Sequence, residues 1–232
     1  MKRLPNRSFD DRHALDRALA ADVAATLVSA IAERGSATLV VSGGTTPVGF
    51  FELLSHKALP WAQVSVLLAD ERWVAADDAA SNEKLVRQHL LINAARSARF
   101  IPLKTADEQP EQAASALDRQ LSALGTFDLV ILGMGADGHT ASLFPGADTL
   151  AVGLDLQSGK QCIAVTPPCA PHRRLSMTLP RLLDSRQIFL HITGDEKRAV
   201  LAAALDGGEA SALPIAALLA QHKTPLQLYF AR

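Results

Sequence analysis

The sequence predicts an α/β fold: a single domain over residues 1–232 with a mostly parallel, doubly wound, Rossmann-like sheet and helices on both faces. Three observations predict it. Short apolar, β-rich runs alternate with segments of helical periodicity, the order that strand–helix–strand units produce. The runs are continuously apolar, as in strands buried on both faces. Four of them end in polar text at the edge where open parallel sheets bind ligands.

Taken in order, Leu15, Leu19, Val23, Leu27 and Ile31 recur every four residues and form one helix face, with Ser8 and Asp11 ahead in a capping-box-like arrangement and Gly35 as the stop. Ala37–Val41 is a short buried strand. Residues 64–69 read as a strand, 81–93 and 107–124 as helices, and 127–132 as the most apolar strand. Strands at 162–166 and 187–193 follow, then helices at 195–205 and 214–222 and a strand at 226–230. No low-complexity linker or internal repeat divides the chain.

Composition narrows the function. Lys plus Arg number 23 against 24 Asp plus Glu, a net charge of −1 without a basic block. That leaves no electrostatic footprint for nucleic acid or an anionic membrane. Residues 1–13 are polar and do not read as a signal peptide, and no apolar run reaches the ~18 residues of a membrane span. Cys162 and Cys169 lack C-x-x-C spacing and read as reduced small hydrophobes. The expected setting is the cytoplasm, with neither nucleic acid nor membrane as partner, and the expected state a monomer.

The four polar strand ends are Ser42-Gly43-Gly44-Thr45-Thr46, Asp70-Glu71-Arg72, Gly133 to His139, and Thr193-Gly194-Asp195-Glu196-Lys197. The first precedes a helix expected to start at Pro47 with Thr46 as cap. Its glycines let backbone amides approach an anion, although a tight turn alone would also need them. It is no Walker A loop, since Gly-Lys-Ser/Thr does not follow. Gly133-x-Gly135-x-x-Gly138 matches the dinucleotide fingerprint in form only, because Pro145 and Gly146 interrupt the helix that fingerprint needs. Its content is instead Asp137 and His139, a histidine two residues from a carboxylate and a candidate general base. Arg72 could grip an oxyanion with Asp70 orienting it, or the pair could be a solvated charge run. Arg174 and Lys197 have surface readings too, but Lys197 stands at the positive end of its helix, where a cation is disfavoured unless an anion compensates. His13, His56, His89, His172, His191 and His222 show no partner pattern and no metal spacing.

With these residues in view the chain resembles the 6-phosphogluconolactonase branch of the family shared with glucosamine-6-phosphate isomerase/deaminase. The carrying segments are residues 42–47, Asp70-Glu71-Arg72, Ser81-Asn82, residues 133–146 and residues 174–178, in family order across most of the chain. Phe144 and Arg72 stand where the deaminase branch carries a glutamate and a tyrosine, so the resemblance implies the lactonase. It implies hydrolysis of 6-phospho-D-glucono-1,5-lactone to 6-phosphogluconate, with no cofactor and no metal. By the same resemblance His139 would activate water and Asp137 or Asp70 would orient or polarise it. Ser42, Gly43, Gly44, Thr45, Arg72, Arg174 and Lys197 would hold phosphate and carbonyl oxygens. The rival readings are the deaminase, opposed by Phe144, and a non-catalytic sugar-phosphate sensor, opposed by the retained His139 and the absence of a basic module.

Overall fold

The computed structural model describes residues 5–208 and 212–232. Seven strands form one parallel sheet in the order β1–β10–β9–β6–β2–β3–β5. These are β1 (Asn6–Phe9), β2 (Ala37–Val41), β3 (Val64–Leu68), β5 (Arg99–Ile101), β6 (Leu129–Leu132), β9 (Ile188–Thr193) and β10 (Leu226–Ala231). Leu39, Val40 and Val41 are consecutive and all fully buried. Successive strand side chains point to opposite faces, so both faces of the sheet are covered. The interior is continuous, with one cluster of buried apolar side chains running from Leu15 to Ala231.

Strand order reverses between β2 and β6: the chain runs outward through β3 and β5 on one side and through β9 and β10 on the other. The loops leaving β2 and β6 therefore diverge and open a crevice at the carboxyl edge. Three further strands, β4 (Asp70–Arg72), β8 (Arg174–Met177) and β7 (Cys162–Val165), make a separate antiparallel sheet beside it. The Met177 N–H donates to the Ala69 carbonyl and the Ala69 N–H to the Val41 carbonyl, which ties this small sheet to the β2 end of the large one.

Several local expectations are corrected. The strand expected at 162–166 lies in the antiparallel sheet, because a short loop returns the chain directly to β8 and a parallel pair needs a crossover of a dozen or more residues. Helix α1 (Arg12–Arg34) is capped by Asp11, whose carboxylate accepts from the Ala14 N–H at 2.7 Å, while Ser8 belongs to β1. Gly35, at φ +77°, closes α1 as expected. Helix α2 (Val48–Ser55) begins one residue later than expected: Pro47 is its cap, its carbonyl accepting from the Phe51 N–H, and the Thr46 side chain makes no capping bond. Helix α3 (Asn82–His89), expected over 81–93, starts one residue later with Ser81 as its cap and ends early, and residues 93–97 form a 3₁₀ turn. Helix α4 (Pro110–Ser122) starts at its proline, since the preceding Gln109 is held extended. The remaining helices are α5 (Leu150–Leu154), α6 (Leu179–Leu183), α7 (Asp195–Asp206) and α8 (Pro214–Ala220). Among the described residues no helix is long and apolar enough to cross a membrane.

Candidate active site

The four polar strand ends meet in one cleft of about 300 Å³ at the carboxyl edge of the sheet. Ser42, Gly43, Gly44, Thr45, Asp70, Arg72, His139, Arg174 and Lys197 all line it. Asp137 does not reach the cleft itself and stands behind His139.

The β2 loop is shaped for close approach. Ser42 is anchored on β6 through its N–H and hydroxyl, both donating to the Ile131 carbonyl. A Cβ at Gly43 would sit 1.9 Å from Oδ1 of Asn82, so only glycine lets this buried amide reach the cleft. The Asn82 Nδ2 donates to the Asp70 carbonyl at 2.9 Å, which leaves Oδ1 buried without a partner and facing the cleft as an acceptor. Gly44 turns the chain at φ +93°, a region that disfavours any side chain.

The residues of Asp70-Glu71-Arg72 divide their work by the alternation of β4. Glu71 is buried and accepts from the backbone N–H groups of Arg72, Asn82 and Glu83, each at 2.7 Å. It fastens the start of α3, and burial raises its pKa above the usual carboxylate range against those three donors. Asp70 faces the cleft and accepts from the Ser142 hydroxyl at 2.6 Å. Arg72 donates to the Ala80 carbonyl and stands opposite Arg174 across the ladder. Each of the two arginines keeps a buried Nε without a hydrogen-bond partner. Burial lowers the proton affinity of Arg174, and the Arg72 charge lowers it further. Two desolvated cations side by side form a wall suited to an anion.

The β6 loop builds the third wall. The His139 Nδ1 lies 2.5 Å from Oδ1 of Asp137, which also accepts from the His139 N–H. The carboxylate thereby holds the ring proton on Nδ1 and leaves Nε2 as the nitrogen available to a ligand. The ring is clamped between two neighbours. Phe144 lies 4.4 Å away, centroid to centroid, and a Cβ at Gly135 would fall 2.2 Å from the imidazole. The glycines of this segment thus seat a histidine, with no dinucleotide helix behind them.

Lys197 completes the cleft from the first turn of α7. Burial lowers its proton affinity, and the nearby Arg12 charge adds to the effect. Sequence reasoning missed Asn82, Ser142, Phe144 and His191 as cleft residues. Asn82 and Ser142 stand out in the sequence only within blocks, Phe144 only as the residue that separates the two branches, and His191 is a strand residue with no distinguishing spacing. Among the described residues no cluster of three or more His, Cys, Asp or Glu is placed to hold a metal.

Comparison with known proteins identifies the family. The profile of the family described as glucosamine-6-phosphate isomerases/6-phosphogluconolactonase matches residues 10–227. A 6-phosphogluconolactonase of Pseudomonas putida is 46% identical over 220 residues, covering 95% of this chain and 90% of the relative. One of Rhizobium meliloti is 44% identical over 224 residues, covering 96% and 97%. The crystal structure of a 6-phosphogluconolactonase from Shewanella baltica superposes with a TM-score of 0.95 at 45% identity, covering 100% of this chain and 99% of the other. The four converging strand ends, the matched profile and these near-complete alignments place the chain in the glucosamine-6-phosphate isomerase/6-phosphogluconolactonase family.

Proposed function

We propose that the chain hydrolyses 6-phospho-D-glucono-1,5-lactone to 6-phospho-D-gluconate in the cytoplasm, as a monomer acting through one domain. The observation that carries the reading is the Asp137–His139 contact at 2.5 Å beside a cationic cleft. The Nε2 of His139 takes a proton from water as the water oxygen attacks the lactone carbonyl. The oxyanion that forms is stabilised by fixed positive charge, and collapse breaks the bond from C1 to the ring oxygen. The same imidazole returns its proton to that oxygen. Asp137 keeps the ring oriented throughout, and Asp70 with Ser142 orients the water or a sugar hydroxyl. Arg72, Arg174, Lys197 and the amides of Gly43, Gly44 and Thr45 hold the phosphate and the carbonyl oxygen, while Ser42, whose N–H is engaged by the Ile131 carbonyl, anchors the loop that carries them. The lactone is an activated ester, so a positioned water, a base and an anion clamp suffice.

Phe144 favours this reading over deamination, since an apolar ring packs on His139 where the deaminase branch has a carboxylate. The test has two arms. Purified protein should speed acid release from fresh 6-phosphogluconolactone well above the spontaneous rate, and should release no ammonia from glucosamine 6-phosphate. Ammonia release that scales with protein would overturn it.

A further inference from the structure

The loop at residues 42–46 is shaped from behind by a residue that does not line the cleft. Arg12, in the first turn of α1, donates from Nη2 to the carbonyl oxygens of both Thr45 and Thr46, each at 2.7 Å. A peptide unit is planar, with its C=O and N–H pointing opposite ways. Drawing the Thr45 carbonyl toward α1 therefore turns the Thr46 N–H away from α1, on the side where Thr45 and Thr46 line the cleft.

Arg12 is itself held. One turn along α1, Oδ2 of Asp16 lies 3.9 Å from its Nε, and Asp16 is buried. Helix α2 packs so tightly on Asp16 that a Cβ at Gly49 would stand 2.5 Å from Oδ2. The other carboxylate oxygen lies 3.5 Å from Nε2 of His191, a residue that lines the cleft, and neither atom makes a hydrogen bond. The Arg12 charge is felt by both Lys197 and His191. A chain of contacts thus runs from the cleft wall at His191 through Asp16 and Arg12 back to the loop.

We infer that Arg12 is a positioning residue for phosphate recognition: its bond to the Thr45 carbonyl fixes the Thr45–Thr46 peptide so that the loop presents the Thr46 N–H to the anion, and its bond to the Thr46 carbonyl, whose peptide ends at Pro47 and carries no N–H, steadies the turn into α2, with Asp16 beside it. This rests on the proposed lactonase reading and adds a determinant of its specificity for a phosphorylated substrate. The experiment compares kcat/KM for 6-phosphogluconolactone with that for unphosphorylated D-glucono-1,5-lactone in wild type, Arg12→Gln and Arg12→Lys. The preference for the phosphorylated substrate is expected to fall about tenfold in Arg12→Gln. It should also fall in Arg12→Lys, which keeps the charge but lacks a planar fork. A general loss of folding or rate would lower both substrates together and leave the preference intact, and that result would overturn the inference. Wild-type preference in Arg12→Lys would overturn it too, since charge alone would then suffice. If wild type hydrolyses neither lactone, the lactonase reading fails separately. Titration with inorganic phosphate then decides on Arg12: equal affinity in wild type and Arg12→Gln overturns its role, and weaker binding by the variant supports it.

Discussion

Arg72 and Arg174 are register partners across the antiparallel ladder of the small sheet, two guanidinium groups facing the same cleft. Each spends one N–H on a carbonyl, Arg72 on Ala80 and Arg174 on Pro171, and each keeps its Nε buried and unbonded. Like charges directly opposite one another in a ladder destabilise it. This pair is thus better suited to the occupied cleft than to the empty one.

Arg174→Met should separate these two effects. Removing one buried cation relieves repulsion, and ligand-free stability is expected to rise by about 1 kcal/mol. Binding of 6-phosphogluconate should weaken by roughly 1–3 kcal/mol as a charge-assisted contact is lost. Thermal melting with and without the ligand reads both. A variant that is less stable alone yet keeps the full ligand-induced shift would contradict the assignment. Lys197→Ala should weaken binding by a similar amount.

His139→Ala should cost on the order of 10²–10⁴ in turnover while leaving affinity for 6-phosphogluconate nearly intact. Asp137→Asn should also slow turnover, by less, because the imidazole remains while its proton is no longer held on Nδ1. Spontaneous hydrolysis must be subtracted at each pH. Near-native turnover of His139→Ala after that correction would leave Asp70 as the next candidate base.

Gly135→Ala tests the seating of the imidazole. The added methyl would lie 2.2 Å from the ring and 2.5 Å from Oδ1 of Asp137, so the ring must swing off its carboxylate. The variant is expected to fold, bind 6-phosphogluconate and lose at least tenfold in kcat. Unchanged kcat would show that the packing of His139 does not matter to the reaction.

Acid sensitivity should trace to His191. Burial, with Arg12 and Lys197 nearby, pushes its pKa down to about 3, whereas in the unfolded chain it takes a proton near pH 6.5. The folded state therefore binds fewer protons between these values. Its contribution to stability is complete above pH ~6.5 and is lost as pH falls toward 3. Asp16 moves oppositely, pushed up to about 6 mainly by burial. Its contribution is complete below pH ~4 and is lost as pH rises through about 6. Denaturant unfolding at a series of pH values should show His191→Gln gaining on wild type as pH falls from 6.5 to 4, by up to ~1.4 kcal/mol per unit. Asp16→Asn, with the opposing slope removed, should be more acid-sensitive than wild type. A pH-independent difference between His191→Gln and wild type would refute this.

The apolar strands and the long helix were legible because burial on both faces and a four-residue period leave strong local signals. Leu39 to Val41 and Leu15 to Ile31 are examples. The strands β1, β5 and β8 were not. They are three or four residues long, and Arg174 and Ser176 of β8 read as polar text although both are buried. The candidate site was visible as four polar strand ends, since a parallel sheet sends all of them to one edge. The division between Glu71 as a structural cap and Asp70 as a cleft residue was not visible, because it depends on the alternation of a three-residue strand. Arg12 left no signal at all. Its partners are main-chain carbonyls more than thirty residues away.

The position of β10 has a consequence for the birth of the fold. Residues 226–231 are the last strand in chain order, yet they lie between β9 and β1, with Leu228 beside Asn6. The earliest strand therefore has no neighbour in the sheet until the latest has emerged. Until then β9, with its carboxyl end at the rim of the cleft, is an open edge inviting another chain to pair with it. Pairing β1 with β10, Asn6 with Leu228, spans more than two hundred residues and makes that last closing step slow, and a nascent chain halted before residue 226 lacks the strand that would cover β9.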